Sequence, residues 1–165
     1  MTPKFLALIL IFSSCGKGDA DKTPTSNPPS KSSASEISDT SIEGITAFLQ
    51  NGTYKGWAAE PVVHDSSGPH GKVRSFFNSI LADSLKAKSS THPVGSIAVK
   101  ELYSSDGTTL KGYALEAKLE EGQGGNGWLW YEGFSPKFNE YYGQGLSTCT
   151  GCHAGGSDFV TSAPP

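Results

Sequence analysis

Residues 97–119 read IAVKELYSSDGTTLKGYALEAKL, and this stretch decides the fold. Ile97, Val99 and Glu101 alternate with Ala98, Lys100 and Leu102, the period of two that a pleated strand imposes. Ser105-Asp106-Gly107 supplies turn chemistry, and residues 110–119 continue as a second strand, so an antiparallel pair is expected. Downstream, the glycine-rich run GQGGNG (residues 122–127) breaks the chain before WLWYEGF (128–134), whose aromatic content predicts a third strand.

Upstream of the strands the period changes to that of a helix. Thr40-Ser41-Ile42-Glu43 fits a capping box, and Ile42, Ile45, Phe48 and Leu49 recur at helical spacing until Asn51-Gly52 stops them. The spacing of Val73, Phe76, Phe77, Ile80, Leu81 and Leu85 predicts a second, longer helix over 73–88. The resulting class is α+β, a mostly antiparallel β-sheet with flanking helices, over residues 40–165.

The rest of the chain prepares for that domain. Its 165 residues allow one domain, and 13 Lys plus Arg against 16 Asp plus Glu give a net charge of -3, without the basic excess that a nucleic-acid partner needs. No run of about 20 apolar residues exists to form a membrane span. Residues 1–15 read as a lipoprotein signal peptide: Lys4, an apolar run from Phe5 to Phe12, then Ser13 and Ser14 before Cys15, as in a bacterial lipobox. Phe12 departs from the usual Leu, and ordinary cleavage near the same point is the alternative to lipidation at Cys15. Gly16 rather than Asp after the Cys, by analogy with that class, places the anchor in the outer membrane. Residues 16–39, rich in Ser, Thr and Pro, bury too little apolar surface to order themselves and read as a disordered linker. The expected location is therefore the periplasmic side, held to the membrane through the lipid alone.

Chemistry is concentrated near the other end. Cys149-Thr150-Gly151-Cys152-His153 is the attachment pattern of a c-type haem, in which two thiols three positions apart add to the vinyl groups of one porphyrin and the adjacent imidazole reaches the iron. Two alternatives use the same thiols: a disulfide between Cys149 and Cys152, or half of a zinc site. One covalent haem c accounts for both, and with Cys15 lipidated no cysteine is left over. Met1 is the sole methionine and leaves with the signal peptide, so His/Met ligation is excluded. The sixth position then falls to His64, His70 or His92, to a small molecule, or to nothing. A hydrogen-bonding role is the competing reading for each of these histidines, and His70, beside Pro69 and Gly71, also reads as a structural plug.

The run from Gly68 to Asn78 (GPHGKVRSFFN), the run from Pro93 to Glu101 (PVGSIAVKE), the Trp-rich strand and the Cys149–His153 motif followed by Asp158-Phe159-Val160 together resemble the cytochrome P-460 family. The resemblance covers about residues 54–162. It implies a sheet-rich fold, often a homodimer, and a five-coordinate haem with His153 as proximal ligand and an open distal side. It also implies a porphyrin cross-link from the lysine of the Val-Lys-Glu signature, here Lys100, in members that oxidise hydroxylamine and pass electrons to a redox partner protein. The related cytochromes c′-beta lack the cross-link and bind nitric oxide or carbon monoxide. Lys100 reads equally as a solvated strand lysine. A distal base would come from Glu140, with Gln144 and Glu132 as further candidates, and Arg74 is placed to meet a propionate or to make an exposed salt bridge. Phe76 and Phe77 are first of all core residues, with a distal pocket as their second reading. Three classes follow: an oxidoreductase acting on hydroxylamine, a gas-binding module, and a bis-His electron carrier.

Overall fold

In the computed structural model, which describes residues 36–165, the chain runs α1 (Ile42–Asn51), β1 (Ala58–Ala59), β2 (His64–Asp65), β3 (Lys72–Phe77), α2 (Ser79–Lys86), β4 (Ile97–Tyr103), β5 (Leu110–Lys118), β6 (Trp128–Phe134), β7 (Tyr141–Gln144) and α3 (Ser147–His153). The signal segment, Cys15 and the linker up to residue 35 lie outside the described residues. Every strand pairing is antiparallel, in the order β1-β3-β4-β5-β6-β7, with β2 also pairing with β3. The mostly antiparallel sheet with flanking helices is as expected from the sequence.

Alternation divides the sheet into two unlike faces. Odd-numbered residues Ile97, Val99, Leu115, Ala117, Leu129 and Tyr131 share one core cluster with Ile45 and Leu49 of α1. Ile37 is 4% exposed in this cluster, so ordered packing begins inside the 16–39 segment that was expected to be linker. On the same face the buried Glu101 accepts hydrogen bonds from the phenols of Tyr54 (2.6 Å) and Tyr103 (2.5 Å), which satisfies a carboxylate set among aromatic rings. The opposite face carries Ala98, Trp128 and Trp130, covered by Phe77, Leu81 and Leu85 from the α2 side and by Cys149, Phe159 and Val160 from the chain around and after α3.

The helix expected over 73–88 is corrected. Lys72–Phe77 is a strand, with Val73 opposite Leu102 and Phe76 opposite Val99, and only Ser79–Lys86 is helical. Val73, Phe76 and Phe77 satisfy a helical stripe, but Val73, Ser75 and Phe77 also satisfy a strand face, and pairing with β4 decides between them. Asn78 makes the break: its Oδ1 caps α2 by accepting the Leu81 N–H (3.0 Å) and also accepts the Ile97 N–H (3.1 Å), while its Nδ2 donates to the Gly95 carbonyl (2.7 Å). At α1 the start shifts by one residue from the expected capping box: Ser41, not Thr40, is the N-cap and accepts the Gly44 N–H, while Gly52 closes the helix as expected, at φ 68°.

A buried ion pair fixes the C-terminal segment to the sheet. Lys118 Nζ, on a side chain 3% exposed, donates to Asp158 (2.5 Å) and to the His92 carbonyl (2.6 Å), and Asp158 also accepts the His92 N–H (2.8 Å). The His92 ring lies between Ser84 Oγ (2.8 Å) and the Ser157 carbonyl (3.1 Å). Replacing Lys118 with Met leaves Asp158 buried without its cation and is expected to cost about 3–5 kcal/mol of unfolding free energy, measured by urea titration. Burial pushes the His92 ring below its ordinary pKa, so the folded state binds fewer protons there than the unfolded chain. The stability difference between wild type and His92→Gln is therefore expected to be greatest above the ordinary histidine value of 6.5 and to shrink as pH falls below it, read from denaturation curves across pH.

Candidate functional site

The site forms where α3 crosses the even-numbered face of the sheet. Strand register builds its floor as two rungs: Lys100, Ala114 and Glu132 lie side by side, and Ala98, Glu116 and Trp130 form the next rung. The two alanines keep the floor low while the longer side chains rise around it, leaving a cleft of about 200 Å³. Cys149, Cys152 and His153 line this cleft from α3, and Pro69 and His70 line it from the turn before β3. Positions i, i+3 and i+4 of a helix share one face, which brings both thiols and the imidazole to the same opening.

The imidazole is held from behind. His153 Nδ1 donates to the Phe159 carbonyl at 2.9 Å, which leaves Nε2 as the ring's remaining ligating atom. Glu116 Oε2 lies 3.1 Å from the same Nδ1 without hydrogen-bond alignment, and this buried oxygen has no hydrogen-bond partner among the described residues. Burial alone would lower the His153 pKa, but the Glu116 carboxylate and the Phe159 carbonyl carry it above the ordinary value. The Trp130 ring stands edge-on to His153 at 4.7 Å, and its buried Nε1 is also without a partner among the described residues.

The pKa of the Cys149 thiol is shifted in the direction opposite to that of a disulfide-exchange cysteine. Both thiols are free, and burial together with the negative charges of Glu132 and Glu116 pushes the Cys149 thiol up to about 11, whereas a disulfide-exchange cysteine needs its pKa lowered. Among the described residues no three His, Cys, Asp or Glu side chains converge as a protein-only metal cage would require. A porphyrin iron, which receives four nitrogens from its own ring, asks for much less from the protein.

The structure separates the other expected site residues. Lys100 lines the cleft, on the face opposite Ile97 and Val99. Of the three histidines offered for a sixth position, only His70 reaches the cleft, with Nδ1 2.7 Å from Glu132 Oε2. His64 is exposed against Glu60, and His92 is consumed in the core network. Glu140 is not at the cleft: its carboxylate accepts the N–H groups of Phe134 (2.8 Å) and Asn139 (3.2 Å) at the end of β6. Arg74 is not there either, since its Nε donates to the Glu60 carbonyl (2.9 Å) and its guanidinium lies over Phe76 at 5.1 Å. Gln144 Nε2 is taken by Glu120 and the Asn126 carbonyl, and Phe76 and Phe77 are core residues on opposite faces. The sequence reading passed over Glu116; its signal was a lone carboxylate between Leu115 and Ala117 on β5.

In protein with unmodified thiols, Cys149 is expected to react with iodoacetamide at pH 8 roughly two orders of magnitude more slowly than an ordinary exposed thiol, because burial and nearby carboxylates deplete its thiolate. Peptide mass spectrometry over time checks this. A scan against models of known protein families finds no match for this chain, and a search of curated proteins finds none either.

Proposed function

We propose that the chain is a monohaem c-type cytochrome of the P-460 type, exported and lipid-anchored, whose cleft binds or oxidises small nitrogen compounds such as hydroxylamine and nitric oxide. The observation that carries this reading is the convergence of Cys149, Cys152 and His153 on one cleft, with His153 Nδ1 engaged and neither thiol paired. The buried Trp130 Nε1, a donor without a partner among the described residues, fits a site that a group with anionic oxygens completes. A bound haem supplies a redox-active iron and a π surface; the protein supplies attachment, an axial imidazole and the polar groups around the small ligand.

The chain's own residues divide the remaining work. Cys149 and Cys152 would hold the ring to α3 through thioether bonds, and His153, anchored by the Phe159 carbonyl, would supply the imidazole for its iron. Lys100 shares the cleft wall, which supports the cross-link that the family resemblance implies. Glu132, whose Oε2 lies 2.7 Å from His70 Nδ1, is the carboxylate at the cleft that can hold a proton released by hydroxylamine, in the role first assigned to Glu140. The carboxylates of Glu116 and Glu132 in the cleft wall favour a compact, uncharged ligand over an anion.

Production in a host that matures c-type cytochromes tests the reading. Wild type is expected to gain the mass of one haem, and Cys149→Ala/Cys152→Ala to emerge colourless; a colourless wild type would overturn the proposal. Lys100→Leu is expected to retain the haem and to lose both the red-shifted ferrous Soret band and hydroxylamine oxidation. An identical spectrum and rate in that variant would remove the cross-link from the account while leaving the haem in place.

A further inference from the structure

His153 has two acceptors for the one N–H at its Nδ1. The Phe159 carbonyl takes the hydrogen bond at 2.9 Å, and Glu116 Oε2 lies 3.1 Å from the same nitrogen. The carbonyl is enough to orient the ring, and the backbone is bent to present it: Asp158 and Phe159 both lie in the left-handed region, at φ 46° and 71°, a conformation that costs free energy in residues other than glycine. The Trp130 ring adds a second constraint, edge-on at 4.7 Å. The carboxylate is therefore surplus to holding the imidazole, yet it stands where a charge is costly. Glu116 is 7% exposed, its Oε2 accepts no hydrogen bond among the described residues, and its ion-pair contact is with His153. A negative charge kept at this depth beside one imidazole acts on the charge of that imidazole, and so on whatever the imidazole ligates.

We propose that Glu116 is the positioning residue that sets the charge on the proximal imidazole and, through it, holds the haem iron toward the ferric state. This inference rests on the haem reading above and adds to it the residue that sets the redox potential. A carboxylate beside Nδ1 draws on its N–H and raises the donor strength of the ring toward a metal, and a negative charge this near favours the more positive of two iron states. Strand register explains why the other cleft carboxylate does not share the task. Glu132 lies on the next rung, beside Ala114 and Lys100, and its Oε2 is 2.7 Å from His70 Nδ1. The two glutamates of one sheet face thus divide between two histidines: Glu116 serves the ring that the attachment motif supplies, and Glu132 the ring on the turn before β3.

Redox titration and resonance Raman spectroscopy of the haem-loaded protein at neutral pH test this. Glu116→Gln keeps the size of the side chain and removes its charge. It is expected to retain covalent haem and to lower the ferric-to-ferrous ratio at a fixed poise at least tenfold, a rise of about 59 mV in a one-electron potential. The iron–imidazole stretching frequency of the ferrous variant is expected to fall below that of wild type. Glu116→Ala should move both readouts in the same directions, and Glu116→Asp, which restores the charge, should return both toward wild type. A wild-type potential and stretching frequency in either neutral variant overturns the assignment of Glu116 while the haem reading stands, and so does a shift of equal size in Glu116→Asp. A wild type without covalent haem overturns both.

Discussion

One buried ion pair determines where the chemistry sits. Lys118, near the end of β5, reaches Asp158 in the segment after α3, and neither charge is tolerable at that depth without the other. The bond spans 40 residues of sequence. By closing on Asp158 it holds the adjacent Phe159, whose carbonyl orients His153, and Val160, which enters the second core cluster. The attachment motif is thus pinned at both ends: β7 pairs with β6 before it, and the ion pair locks the chain after it. A seven-residue helix without a side-chain N-cap would not hold three chemical groups in position by itself.

The sheet divides the work by parity. Odd positions of β4, β5 and β6 build an aromatic and aliphatic core under α1, which supplies stability. Even positions carry Lys100, Glu116 and Glu132 alongside alanines and Trp130, which gives a polar floor with one buried carboxylate, Glu116. Charged groups of this kind cost stability wherever they lack partners, and three of them share one cleft.

β4 and β5 were legible because alternation over 97–119 and the turn residues at 105–107 agree, whereas the two-residue β1 and β2 and the short β7 are too brief to show a period. The 73–88 segment was not legible, because KVRSFF places apolar residues where both a helix and a strand want them; only the side chain of Asn78, bonding to α2 and to β4 at once, separates the two. The Cys149–His153 motif points to the proposed haem attachment through residue type and spacing alone, but not to its surroundings. Nearness in sequence favoured Glu140, yet the β6–β7 connection sends that carboxylate to cap backbone amides, while Glu132, farther from the motif, faces the cleft. Glu116 was overlooked because a polar residue at period two ordinarily marks the solvent side of a strand. Only the docking of α3, set by a contact distant in sequence, turns that side inward.

The central claim is that Cys149 and Cys152 carry a porphyrin by thioether bonds above this cleft. Acid-acetone extraction of the matured protein, followed by mass analysis of the peptide containing residues 149–153, tests it most directly. The account predicts pigment that stays with the protein and a single haem on that peptide. Pigment released into the solvent, or an unmodified peptide from pigmented protein, would contradict it.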